Sequence, residues 1–370
     1  MSSWKLIAMP YPSDFKLFER AMFDAQALLR PHLRNLVPYS SARDEYSGSE
    51  GVFLDANENS LGSAIDSAYQ RYPDPYQREL KEKVAKIKAV HVDEIFLGNG
   101  SDEPIDLLYR AFCEPGQDNV VITPPTYGMY EVSAAIHNVE VLKVNLTADF
   151  QLKAEEILAT CNSQTKIIWL CSPNNPTGNL LDRSAIQKVI TNFEGIVVVD
   201  EAYIDFADQP SMTGSLDQHP NLVVLHTFSK AWGMAGLRLG VAFASKEIIN
   251  ILNLIKAPYN LSQATQQIAL QAMANEDRVK IMVSQIIELR NELSDQLSGL
   301  SQVEHIYPSD ANFLLVKFRG AQKTFEDLIA QKIIVRNRRK VVLCEEGLRI
   351  TVGTREENKI LIDALKNMPS

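Results

Sequence analysis

Cysteine is scarce in this chain: Cys113, Cys161, Cys171 and Cys344 are the four in 370 residues, far apart and with no C-x-x-C among them. That spacing excludes a zinc ribbon and a dithiol redox pair and suits a reducing cytoplasm. The six histidines include no H-E-x-x-H or comparable ligand spacing, so no metal is expected. No apolar run approaches the roughly 18 residues of a membrane-spanning helix. The N-terminus offers only "LIAM" between Lys5 and Pro10, too short for a secretory signal, so a cytoplasmic protein without a membrane partner is expected. Basic residues are outnumbered, 37 Lys and Arg against 46 Asp and Glu, for a net charge of -9. This excludes a general attraction to nucleic acid or anionic membrane, and "RNRRK" (336–340) is the one dense basic run. A dinucleotide fingerprint is also missing, because "GNGSDE" has Glu103 where G-x-G-x-x-G requires glycine.

What is present is a large apolar complement, 45 % of the chain, enough for two domains. Residues 1–50 read as an arm, with a helix through "DFKLFERAMFDAQALLR" up to Pro31. Residues 51–265 read as an α/β domain. Its short runs "EIFLG", "NVVIT", "VEVLKV", "KIIWLC", "GIVVVD", "NLVVLH" and "GVAFA" alternate with amphipathic stretches, the pattern of a mostly parallel sheet between helices. Residues 266–370 read as a smaller α+β domain. It is entered through one long or two consecutive helices over 262–300, with strands at "NFLLVKF", "KIIVRN" and "LRITVG" and helices at "AQKTFEDLIAQ" and "REENKILIDALKNM".

In an open α/β sheet, ligands bind beyond the carboxyl ends of the strands, so the residues that follow each apolar run carry the chemistry. After "EIFL", Gly100, Ser101 and Asp102 open a helix whose free N–H groups make an anion seat, and Ser101 is equally an ordinary N-cap. After "NVVIT", Tyr127 is placed either to lie on a flat ligand or to pack in the core. The loop "SPNNPTG" (172–178) projects Asn174 and Asn175. Asp200 ends a buried strand and needs a partner cation or hydrogen bonds, and Tyr203 follows it. "HTFSKAWGMAGLRLG" (226–240) places Ser229, Lys230 and Arg238 past another strand.

Together these groups match pyridoxal phosphate. Its aldehyde would meet Lys230 and its ring nitrogen Asp200, with Asn175 and Tyr203 at the ring oxygen. The backbone of 100–102, Ser229 and Arg238 would hold the phosphate.

"SPNNPTG", "DEAYIDF" and "SKAWGMAGLRLG", in that order, resemble the fold-type-I pyridoxal-phosphate transferases, specifically the class-II aminotransferases. "RNLVPYSSAR" (34–43), "LDANENS" (54–60), "RYPDP" (71–75), "RAFCEPG" (110–116), "PPTYGMY" (124–130), "IIVRN" (333–337) and "GLRITVGTREE" (347–357) extend the likeness over about residues 30 to 365, toward the histidinol-phosphate aminotransferase family. The resemblance implies that Lys230 bonds the cofactor and shuttles the proton, made neutral by the nearby charge of Arg238, while Asp200 and Tyr203 complete the catalytic set. It implies a homodimer with shared sites, in which Tyr72 reaches the neighbouring chain's cofactor phosphate. It further implies that Arg336, Arg349, Tyr39 and Asn175 bind substrate, with histidinol phosphate and glutamate or 2-oxoglutarate as partners. In "GLRITVG", period-two alternation sets Leu348, Ile350 and Val352 on one face and frees Arg349 on the other. Aromatic or broad-range aminotransferases and phosphothreonine decarboxylases share the cofactor motifs and stay open as alternatives. The two further arginines in "NRRKVVLCEE" (337–346) stand where they would alter substrate access.

Overall fold

The computed structural model describes residues 23–38, 51–65 and 69–368. Helix α1 spans Ala25–Leu28. Asp24 is extended, and its carboxylate accepts from the N–H of Gln26 and Ala27 at 2.9 and 3.1 Å, so the helix starts afresh at Ala25 instead of running through Asp24 as expected. The part of that expected helix before residue 23 lies outside the described residues, as does Tyr39.

The main body comprises α2 (Arg78–Lys88), β1 (Ile95–Asn99), α3 (Asp102–Phe112), β2 (Asn119–Ile122), α4 (Met129–Ile136), β3 (Glu140–Lys143), α5 (Ala154–Thr160), β4 (Thr165–Cys171), α6 (Arg183–Asn192), β5 (Ile196–Asp200), β6 (Leu222–Thr227), β7 (Leu239–Ala244), α7 (Lys246–Ile255) and α8 (Gln263–Met273). The sheet order is β1-β7-β6-β5-β4-β2-β3. Strands β6, β5, β4, β2 and β3 pair in parallel, and β7 runs antiparallel to both of its neighbours.

Alternation along β5 explains the layering. Ile196 and Val198 enter the core covered by α3, α4 and α7, while Val197 and Val199 enter the one covered by α2, α5, α6 and α8. Each such fully buried side chain contributes about 2 kcal/mol of hydrophobic stabilisation. Because β2, β4, β5 and β6 are parallel, the loops after them open at one sheet edge. The end of β1 and the start of β7 join that edge, since β7 is reversed.

A second, antiparallel sheet of order β10-β11-β9-β8 is built from β8 (Val303–Ile306), β9 (Phe313–Phe318), β10 (Arg336–Asn337) and β11 (Gly347–Thr351). It packs with α9 (Glu276–Ser298), α10 (Ala321–Ala330) and α11 (Arg355–Lys366) around its own apolar cluster. The strand expected over "KIIVRN" shrinks to Arg336–Asn337. Lys332 adopts φ +61° and the Ile333 N–H bonds back to the Leu328 carbonyl, so the chain wraps the end of α10 before it reaches the sheet.

The expected boundary at 265/266 cuts α8, whose Ala269 and Met273 pack with Leu80 and Val84 of α2 in the main core. We therefore place the division at Asn275, where α8 gives way to α9. Among the described residues, no helix is long and apolar enough to cross a membrane.

Candidate active site

Beyond the shared strand ends lies a cleft of about 510 Å³, roofed by the second sheet. Lining it are Ser101, Asp102, Tyr127, Asn175, Asp200, Tyr203, Ser229, Lys230, Arg238, Arg336 and Arg349, drawn from seven separate stretches of sequence. Gly100 lies just behind this lining. Its backbone, at a φ of +70° that favours glycine, crosses so closely over Gly240 that the latter permits no side chain: a Cβ on Gly240 would sit 2.2 Å from the Gly100 carbonyl carbon. Tyr72 is not part of this chain's cleft; it is half-exposed and stacks on Tyr259 with ring centroids 4.5 Å apart.

The expected anion seat lies at the start of α3, without the Gly100 N–H, which bonds the Arg238 carbonyl at 2.9 Å. The helix's first-turn N–H groups have no helical carbonyl to bond, and Ser101 makes no side-chain cap. The hydroxyl is thus left facing the cleft, and of the two readings of Ser101 the ordinary cap is not realised. Arg238, held at φ +54° where β7 begins, reaches across so that its Nη2 lies 3.5 Å from Asp102 Oδ2. Tyr127 donates its hydroxyl to Asp102 Oδ1 at 3.1 Å.

Asp200 sits at the floor. It shares its face of β5 with Ile196 and Val198, and its carboxylate accepts from the Tyr130 hydroxyl at 2.7 Å and the Ala202 N–H at 3.1 Å. No cation pairs with it among the described residues. Burial pushes its pKa up to about 6 against the restraint of the Tyr130 hydrogen bond. A buried acid without a cation, facing a cleft, is the feature a cationic ligand completes.

Lys230 projects from the loop after β6, with its Nζ 5.7 Å from the Tyr203 ring centroid. Burial, and after it the charge of Arg349, lower its pKa and so favour the neutral, nucleophilic amine. Arg238 lowers it as well, as expected, and Arg349, which the sequence reading did not name for this role, carries more weight.

The two asparagines of "SPNNPTG" separate. Asn174 turns into the protein and bonds the Pro125 carbonyl at 2.8 Å and the Thr177 hydroxyl at 2.7 Å, so it is a loop fastener. Asn175 faces the cleft, where it donates to the Tyr203 hydroxyl at 3.4 Å and accepts from Arg349 Nη1. Arg336 and Arg349 are directly paired across β10 and β11, and Leu348, Ile350 and Val352 are buried on the opposite face, as the alternation predicts.

Tyr130 escapes the sequence reading, and of the two further arginines expected to alter access only Arg338 reaches the cleft. Tyr130 stands one helical turn after Tyr127 in "PPTYGMY", a spacing that places both rings toward the same region. Arg338 lines the cleft beside Arg336 and Arg349, and its period-two spacing from Arg336 in an extended segment was the signal. Arg339, the other extra arginine, points away and bonds Glu346 at 3.2 Å.

Chemically, the cleft offers an amine for a carbonyl, an acid for a cation, an anion seat opposite, and arginines at the mouth for an anionic substrate. These are the functional groups of a phosphorylated pyridine aldehyde, and the residues present fit it.

The chain matches the family "Aminotransferase class I and II" over residues 45–365. It is 54 % identical over 344 residues to the histidinol-phosphate aminotransferase of Cytophaga hutchinsonii, covering 93 % of this chain and 99 % of that protein. The same name belongs to a relative from Parabacteroides distasonis, 54 % identical over 347 residues, with 94 % and 99 % covered. Among solved structures, the fold resembles that of histidinol-phosphate aminotransferase from Sinorhizobium meliloti in complex with pyridoxal-5'-phosphate, with TM-score 0.73, 22 % identity, and 91 % and 96 % of the two chains covered.

Proposed function

The chain belongs to the class I and II aminotransferases, and we propose that it uses pyridoxal phosphate to exchange an amino group between glutamate and imidazole-acetol phosphate. The product is histidinol phosphate, in a step of histidine biosynthesis. The observation that carries this reading is the convergence of Lys230, an Asp200 with no cation partner among the described residues, and four arginines on one cleft. When bound, pyridoxal phosphate supplies an aldehyde that condenses with amines and a cationic ring that draws electrons from the substrate carbon.

The residues divide the work. The first turn of α3, Ser229 and Arg238 bind the cofactor phosphate, and Tyr127 covers the ring. Asp200, oriented by Tyr130, keeps the ring nitrogen protonated, while Asn175 and Tyr203 donate toward the ring oxygen. Lys230 would hold the aldehyde and, once released by substrate, its Nζ would move the proton from the substrate's Cα to the former aldehyde carbon, on the far side of the shared nitrogen. Its lowered pKa supports that role, because only the neutral amine accepts a proton. Arg336 and Arg349 take the substrate's anionic group, and Tyr39 is proposed to join them.

We further propose a homodimer in the cytoplasm, with Tyr72 reaching the neighbouring cleft. Supporting it, large apolar side chains stand exposed among the described residues 36–38, 51–65 and 69–76, with Val52 at 89 %, Leu54 at 83 % and Leu61 at 98 %, and a second chain would cover them. Mixing Tyr72→Phe and Lys230→Ala chains tests this: hybrid dimers should regain activity above either parent, and additive, unrescued activity would refute the shared site.

The direct test of function is single-turnover absorbance of the cofactor-loaded protein with histidinol phosphate, glutamate, phenylalanine and phosphothreonine, each alone. Rapid conversion by the first two only is expected. Equal reaction with phenylalanine would favour a broad-range aminotransferase, and release of carbon dioxide from phosphothreonine a decarboxylase.

A further inference from the structure

Three guanidinium groups converge on the mouth of the cleft, and they are not held alike. Arg349 is partly committed: its Nη1 donates to Asn175 Oδ1 and its Cζ stacks 5.1 Å from the Phe313 ring centroid, while its Nε, like that of Arg338, is buried without a hydrogen-bond partner. Arg336 is exposed at the rim. Arg338 is partly buried, and its backbone N–H bonds the Gly347 carbonyl at 2.9 Å, which extends the β10–β11 ladder and fixes the direction of its side chain. Its Nε is buried and has no hydrogen-bond partner, and no carboxylate lies within ion-pairing distance of any of the three among the described residues. The contrast with Arg339 is sharp, since that neighbour is paired with Glu346.

Like charges held together around a cavity repel unless an anion neutralises them. Asn175 with Arg349, and Arg336 at the rim, suffice for the two carboxylates of glutamate, each of which carries a single charge and two oxygens. A phosphate monoester carries close to two charges and three terminal oxygens, and leaves further acceptor positions for another fork.

We propose that Arg338 is a specificity-determining residue that reads the phosphate of the phosphorylated substrate and is dispensable for the carboxylate substrate glutamate. The proposal rests on the functional reading above and deepens it. It assigns the unpartnered Nε edge of Arg338 to a phosphate oxygen that glutamate, bound through Arg349, does not offer.

The test uses the cofactor-loaded protein and its Arg338→Met and Arg338→Lys variants, with each half-reaction followed separately. Arg338→Met should lower kcat/KM for histidinol phosphate about 10- to 100-fold, mostly through KM, and that for glutamate less than about 3-fold. Arg338→Lys keeps the charge without the fork and should fall between. Inorganic phosphate, as a competitor of the glutamate half-reaction, should weaken by a similar factor in Arg338→Met, whereas acetate should not. Equal losses in both half-reactions, or no loss in either, would overturn the assignment. If the unaltered protein failed to react with histidinol phosphate while glutamate still reacted, the functional reading itself would fall and this assignment with it.

Discussion

Asp200 and Glu201 are neighbours, both acids and both almost fully buried, at 2 % and 3 % exposure, yet they face opposite worlds. Strand alternation sends Asp200 to the Tyr130 side, into the cleft, with two donors and, among the described residues, no cation. Glu201 turns to the other side and is satisfied there: His226 Nε2 lies 2.9 Å away, the Met212 N–H donates at 2.8 Å and the Ser211 hydroxyl donates as well. Burial does not distinguish the ligand-receiving acid from the structural one. The inventory of partners does, because a buried carboxylate that the fold leaves unpaired costs stability until something else pairs it.

The contrast can be broken by mutation, and the largest effect falls on the group that the unpaired acid serves. Lys230→Ala should lower amino transfer about 10³-fold or more, measured in single turnovers. Asp200→Asn should lower it about 10²- to 10³-fold, yet stabilise the cofactor-free chain at pH 7 by about 1–3 kcal/mol in denaturant unfolding. Glu201→Ala should do the reverse: it strands buried donors, costs about 3 kcal/mol of stability, and lowers transfer per folded molecule less than about 10-fold. Tyr130→Phe, which removes one donor from Asp200 and raises that acid's pKa further, should slow transfer about 10-fold with little loss of stability.

The sign of the pH dependence follows from the same acid. Its folded pKa of about 6 lies above the ordinary 3.8, so between these values the folded chain holds more protons than the unfolded one. The Asp200 contribution to stability is therefore lost as pH rises from about 4 to about 6, by on the order of 3 kcal/mol in all.

How much of this was legible beforehand depended on whether a local rule governed it. The strands were readable because "GIVVVD" and its counterparts are short buried runs bounded by polar loops, and most of the cleft-lining residues because they stand in the loops after such runs. The division of Asn174 from Asn175 was not, since loop side chains obey no fixed period and only the packed Pro125 carbonyl decides which one turns inward. The same holds for Arg338 and Arg339: Glu346, seven residues from Arg339, claims one and leaves the other to the cleft. The start of α1 at Ala25 was carried by Asp24 itself, a capping residue inside a pattern that otherwise continued. Tertiary partners also decided that Arg349 outweighs Arg238 at Lys230.

The most direct measurement is the difference in unfolding free energy between the unaltered protein and Asp200→Asn from pH 4 to 8, with and without pyridoxal phosphate. Without the cofactor, the account predicts that the unaltered protein loses ground to the variant as pH rises through about 4 to 6. With it, that loss should vanish or reverse, because the ring cation pairs Asp200. The same slope in both conditions, or equal stabilisation of both proteins by the cofactor, would contradict the claim that Asp200 is held unpaired for a cation.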